Sequence, residues 1–168
     1  AFGSEFGGRL DRIRKWQDDI LVKVKGQPTE KDSESLSQVV SELNELIDSL
    51  DVRFVDEERE KSESNLEVYF IPHKEFLNHT STKIAEGNWG LFFYYEDAKG
   101  IIVRAKVLIA IDKPDAEERA HLIREEFTQA LGLAQDSEKY RNSIFYQGWT
   151  TVQEYSEMDK KLISMLYS

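Results

Sequence analysis

Arg124-Glu125-Glu126-Phe127-Thr128-Gln129-Ala130-Leu131-Gly132-Leu133-Ala134-Gln135-Asp136-Ser137 is the stretch on which the reading of this chain turns. It closes a run that starts after Pro114 and predicts a helix over 115–131. Proline fits a first helical turn, where a missing N–H costs little. Gly132 stands where a residue in the left-handed region ends a helix. The segment is also dense in carboxylates, which can take up a proton, and in neutral amides, which can only hydrogen-bond.

Working outward, the elements before this helix read as a mixed α/β pattern. Asp19–Lys25 alternates apolar and polar residues and predicts a strand, broken by Gly26-Gln27-Pro28. Ser33 or Ser35 is a candidate cap for a helix whose stripe is Leu36, Val39, Val40, Leu43, Leu46, Ile47 and Leu50. Val52–Val55 and Leu66–Ile71 read as strands separated by a charged, solvated run over 57–64. Residues 73–87 look polar and irregular. Gly90–Tyr95 and Ile101–Ile111 flank a turn-rich loop and predict a hairpin. Beyond the helix, Ser156 and Asp159 form a capping pair for a last helix over 157–166, expected to bury Leu162, Ile163, Met165 and Leu166.

Composition narrows the function classes. The net charge is −10 over 168 residues, which repels phosphate backbones and argues against nucleic acid as a partner. Cysteine is absent, so thiolate catalysis, disulfides and Cys-based metal sites are excluded. No apolar run approaches the roughly 20 residues of a membrane helix, so no membrane insertion is expected. Residues 1–8 read as cloning residue, and residues 9–168 as a single domain, with Trp16 anchoring the basic Arg9–Lys15 segment on the core.

In frame, the opening stretch reads E-E-x-x-Q-x-x-G-x-x-Q. It resembles the H-E-x-x-H-x-x-G-x-x-H segment of the metzincin zinc proteases. The resemblance implies that Glu126 stands at the general-base position, that Gly132 is the turning glycine, and that Glu125, Gln129 and Gln135 stand at the three ligand positions. Residues 125 and 129 lie one turn apart on one helix face, and a glycine three residues on lets the backbone return a third group. Ser143-Ile144-Phe145-Tyr146 sits where that family has its Met-turn, with Phe145 in the methionine position and Tyr146 beside it. The implied fold is α/β (α+β): a mixed, mostly parallel twisted sheet with an antiparallel edge strand, a packing helix, an active-site-type helix and a C-terminal helix. The edge strand, Leu91-Phe92-Phe93-Tyr94-Tyr95, would border a cleft and present aromatics as a peptide-docking rim. E-E-x-x-Q-x-L-G-L with S-I-F also resembles a bacterial domain of unknown function that occurs in exported or envelope proteins, which makes an exported location the expectation.

The departures from the metzincin pattern decide the functional expectation. Zinc prefers imidazole and thiolate. Gln129 and Gln135 offer neutral amide oxygens, so no cofactor is expected. If an ion bound, zinc or calcium would draw on Glu125, Gln129, Gln135 and His121, with Asp136 adding charge. The two glutamines are instead expected to bond one another and hold the turn, and His121 to bond a neighbour. The leading expectation is an inactive, protease-like module that binds an extended peptide or protein. A hydrolase with Glu/Gln/His coordination and a structural part of an envelope protein are the alternatives.

Overall fold

The computed structural model describes residues 12–56, 63–134 and 136–168, together with the backbone of residues 2–3. Its strands are β1 (Phe2–Gly3), β2 (Lys15–Trp16), β3 (Ile20–Gly26), β4 (Val52–Phe54), β5 (Leu66–Ile71), β6 (Gly90–Glu96) and β7 (Ile101–Ala110). The helices are α1 (Glu30–Leu46), α2 (Thr82–Ala85), α3 (Ala116–Gln129) and α4 (Glu157–Leu166), with a 3-10 helix over His73–Asn78. The sheet order is β1-β6-β7-β5-β3-β4, with β2 alongside β7. β3, β4, β5 and β7 run parallel, and β6 returns antiparallel to β7. This is the mixed, mostly parallel α/β sheet that the element order predicts. Phe2 and Gly3, inside the stretch read as cloning residue, pair antiparallel with Tyr95 and Tyr94 of β6.

Strand alternation sends Val22, Leu66, Val68, Phe70, Val107 and Ile109 to an inner face covered by α1, α3 and α4. The opposite face carries Ile71, Leu91, Phe93, Leu108 and Ala110, packed against Phe76 and Ala85. Residues 73–87 are therefore not irregular. The 3-10 helix and α2 exist because Phe76 and Ala85 seal that second face.

Cap chemistry corrects two helix starts. α1 begins after Thr29, not Ser33 or Ser35: Asp32 N–H donates to Thr29 Oγ1 at 3.2 Å, and Thr29 N–H donates to the Asp32 carboxylate at 2.8 Å. Such reciprocal boxes satisfy two otherwise orphaned donors. α3 begins after Asp115, which makes the same box with Glu118, so Pro114 precedes the cap. At the other end of the chain the Ser156/Asp159 box forms. Only Ile163 of the expected α4 stripe is fully buried; Leu166 is half-buried, while Leu162 is 40% and Met165 63% exposed. α4 packs along Asp159, Ile163 and Tyr167, and Leu162 and Met165 fall on its outer flank. The charged 57–64 run lies outside the described residues from 57 to 62.

The end of α3 is fixed by parts far away in sequence. Gly132 has φ +110°, and a Cβ there would lie 2.1 Å from the Arg14 carbonyl oxygen. Glycine is thus needed both for the left-handed turn and for the close passage of the N-terminal strand segment. The free carbonyls of Ala130 and Leu131 accept from the Trp16 indole N–H (3.1 Å) and the Tyr167 hydroxyl (2.6 Å). These bonds satisfy helix-end acceptors that water cannot reach.

Among the described residues no helix is long and apolar enough to cross a membrane.

Candidate functional site

Two salt bridges set α3 against α1. Arg119 Nε lies 2.8 Å from Asp32, and Arg124 pairs with Glu42. The Arg124 guanidinium also stacks 4.5 Å from the Tyr155 ring centre, and the Tyr155 hydroxyl meets Thr128 Oγ1 at 2.7 Å. Burial pushes the Tyr155 phenol far above its ordinary range. With this flank held, α3 turns its other flank toward a cleft of about 380 Å³. Glu125, Glu126, His121 and Leu122 form the α3 side, Gly87 to Gly90 the β6 side, and Asp136 with Tyr146 to Thr150 the far wall.

His121 sits 5% exposed between two partners. Its Nδ1–H donates to the Val152 carbonyl at 2.5 Å; a carbonyl only accepts, which fixes the proton on Nδ1. Its Nε2 lies 3.0 Å from Glu125 Oε2. Burial pulls His121 down, but Glu125 and the Val152 carbonyl outweigh it and hold the imidazole above its ordinary value. Glu125 is raised too, first by burial and further by Asp136, against the pull of His121. The two groups thus form a buried pair at hydrogen-bond distance.

Gln129 is fully buried at the back of the cleft, and its Nε2 donates to Asp136 Oδ1 at 2.8 Å. Gln135, and with it the expected Gln129–Gln135 bond, lies outside the described residues. Asp136 is held there because Ser137 bridges in parallel to Tyr146: Ser137 N–H donates to the Phe145 carbonyl and Gln147 N–H to Ser137. Phe145 is buried beneath the site. Its turn is clamped by Asp159, which accepts from Ser143 Oγ (2.5 Å) and Ile144 N–H (3.1 Å). Asp159 therefore serves both as the α4 capping partner and as the anchor of the 143–145 turn.

Glu126 is nearly buried and packs on β6. A Cβ at Gly90 would come 2.9 Å from Glu126 Cγ and Oε1. The carboxylate lies directly under the strand backbone, and any larger residue at 90 would displace it.

The aromatic rim is not where the strand pattern puts it. Leu91, Phe92, Phe93 and Tyr94 are all buried and Tyr95 is half-buried. Phe92 and Tyr94 pack in the main core, Leu91 and Phe93 in the second cluster. Both faces of β6 are covered, which is why no aromatic face is left over. The rim is formed by Trp89 and Trp149, whose rings meet edge-to-face at 5.7 Å. Trp149 is 66% exposed. Its signal in the sequence is a tryptophan between Gly148 and Thr150 with no apolar periodicity around it.

Among the described residues the backbone of β6 has no strand partner on one side over 90–93. Ala110 N–H donates to the Trp89 carbonyl, and antiparallel pairs alternate between bonded and non-bonded. Gly90 and Phe92 therefore turn their N–H and C=O groups outward, on the side of the strand that β1 uses further along at Tyr94 and Tyr95. Among the described residues no strand pairs with that side over 90–93. Nor, among them, is any group of three or more His, Asp or Glu side chains arranged to share an ion.

This chain belongs to the family described as "Protein of unknown function (DUF2927)", which matches residues 1–168. No curated protein sequence matches it. Among solved structures it is similar to myroilysin. The crystal structure of myroilysin has TM-score 0.56 and 15% identity, covering 91% of this chain and 85% of that one. A second structure of myroilysin has TM-score 0.54 and 14% identity, covering 91% and 82%. At that identity the likeness is one of fold: this chain shares the mixed α/β architecture of the myroilysin structures.

Proposed function

We propose that this chain is a non-catalytic, peptide-binding form of the protease-like fold, which holds an extended segment along the outer edge of β6 above the cleft. The carrying observation is that edge. Among the described residues no strand pairs with the outward backbone groups of Gly90 and Phe92, beside a cleft of about 380 Å³, and β1 pairs antiparallel on the same edge at Tyr94 and Tyr95. A peptide adding there gains main-chain hydrogen bonds, and its alternate side chains point into the cleft or away from it. Trp89 and Trp149 supply exposed ring surface at the mouth. Glu125, Glu126 and Asp136 make a basic side chain the favoured occupant over an acidic one.

Zinc chemistry of the metzincin kind does not fit the donor set. Of the positions that the resemblance assigns to ligands, Glu125 is engaged with His121, and Gln129 is a neutral amide whose N–H is committed to Asp136. Neither replaces an imidazole pair. The scaffold supports this reading through its own side-chain bonds, which tie the 129–136 turn together.

A synthetic peptide library tests it, read for bound and for cleaved members. The expected result is bound, uncleaved peptides whose addition shifts the Gly90 and Phe92 backbone amides in NMR and quenches Trp149. Turnover that disappears in Glu126→Gln would replace the binding module with a hydrolase.

A further inference from the structure

The second face of the sheet is apolar only where the 3-10 helix and α2 cover it. The rest of that face carries Lys25 from β3, Glu67 and Tyr69 from β5, Arg104 and Lys106 from β7, and His79 from just past the 3-10 helix. Register places them as neighbours: Lys25 is opposite Tyr69, and Glu67 is opposite Lys106. We propose that this uncovered half-face is a binding site for a small, soluble dianionic oxyanion of the phosphate type, held by Lys106, Arg104 and Lys25.

The argument rests on charge that the cluster does not balance. Glu67 is its central carboxylate and is already saturated. One oxygen takes Lys25 and the Tyr69 hydroxyl (3.0 Å), the other Arg104 at 3.3 Å. Lys106 is left with a neutral acceptor, His79 Nδ1, at 3.2 Å. Among the described residues that contact Glu67 or the Tyr69 ring, three cations thus meet one anion, an excess of positive charge that a dianion offsets. Glu75 acts on His79 only through space. The ammoniums of Lys25 and Lys106 stand 5.3 and 5.9 Å from the Tyr69 ring centre, and His79 meets that ring edge-on at 4.7 Å. The cations are therefore pre-positioned around one aromatic platform and need little reordering to receive a ligand. The strain is visible in their titration. Burial, then Arg104 and Lys25, hold Lys106 below its ordinary value against the pull of Glu67; burial and Lys106 depress His79. An anion relieves both. Lysine as a point charge and arginine as a planar fork are the groups that grip phosphate. The net charge of −10 opposes approach to an anionic membrane, so the ligand is taken as a soluble anion rather than a lipid headgroup.

Inorganic phosphate is the probe, titrated at constant ionic strength while the His79 ring and Lys106 side-chain NMR signals are followed. Saturable shifts at these two residues are expected. Lys106→Gln should weaken binding about tenfold, and Glu67→Gln, by enlarging the surplus, should tighten it about threefold. Lys161→Gln, on the exposed side of α4, should leave it unchanged. Thermal melts of each variant separate lost binding from lost folding, and the opposite signs expected at 67 and 106 cannot both come from unfolding. Equal affinity in wild type and Lys106→Gln, or an equal loss in Lys161→Gln, overturns the site. Sedimentation with phosphatidic acid vesicles that Lys106→Gln abolishes would overturn the soluble-anion assignment.

Discussion

Along the flank of α3 that faces α1, Arg119 reaches Asp32 and Arg124 reaches Glu42, so each cation meets a carboxylate on the neighbouring helix. Along the flank that faces the cleft, Glu125, Glu126 and Asp136 gather with a single imidazole, His121. Both flanks bury ionisable groups in one helix, under the same sheet. On the first, charge is spent within the fold. On the second, three carboxylates line a cleft beside a strand edge that no described strand covers.

The comparison is most sharply tested where the closed flank is opened. Arg124→Ala strands Glu42 and removes the stack on Tyr155. Glu42 keeps 32% of its side chain exposed, so water takes up part of the stranded charge and the loss in urea denaturation should be about 1–3 kcal/mol. A loss under about 1 kcal/mol would mean the flank is held by apolar packing alone. Gly132→Ala comes next. The left-handed backbone and the Arg14 carbonyl at the Cβ position predict about 2–3 kcal/mol of destabilisation. Its effect should spread to Trp16, read by near-UV circular dichroism. Thr128→Val removes the hydroxyl that meets Tyr155 and should cost about 1–2 kcal/mol, because the phenol is then buried without its partner.

On the cleft flank the expected stability effects are smaller and the titration effects larger. His121 and Glu125 are both shifted upward, so the folded pair holds its proton more tightly than the unfolded chain. The stability contributed by His121 is complete below its ordinary pKa of 6.5 and fades as pH rises through its raised folded value. In Glu125→Gln burial should win and drop His121 below 6.5, which reverses the sign: its contribution is then complete above 6.5 and is lost as pH falls through the lowered folded value. An NMR titration of the His121 ring measures this; an unmoved midpoint would show that the pair is not coupled. Stability at neutral pH should change by less than about 1 kcal/mol.

How much of this is legible in the sequence depends on the range of the interaction. Strand alternation and helix periodicity locate β3, α1, β5, β6, β7, α3 and α4, because a face buried on one side repeats at the period of its element. Gly132 is legible for the same local reason. Caps were placed a few residues off at Thr29 and Asp115, since several hydroxyls and carboxylates near a helix start compete and only the folded backbone chooses among them. The β6 aromatics misled for a different reason. Period two shows that a strand has two faces but not that the 3-10 helix and α2 would bury the second. At the site, Glu125, Glu126 and Asp136 are legible as residues in one short frame, and the structure brings all three to one cleft. Trp149, Gly90 and the Arg124–Glu42 pair were not, because each meets its neighbours across long stretches of chain and leaves no spacing signal behind.

The bonds from Trp16 and Tyr167 to the carbonyls ending α3 carry a kinetic consequence. The end of α3 is tied by segments far apart in the described chain, so its last turn is complete only once the Tyr167 end of the chain has docked. Contacts of such long sequence separation slow folding. A nascent chain halted before α4 would therefore carry the sheet and most of α3 but leave the Leu131 carbonyl without its Tyr167 partner.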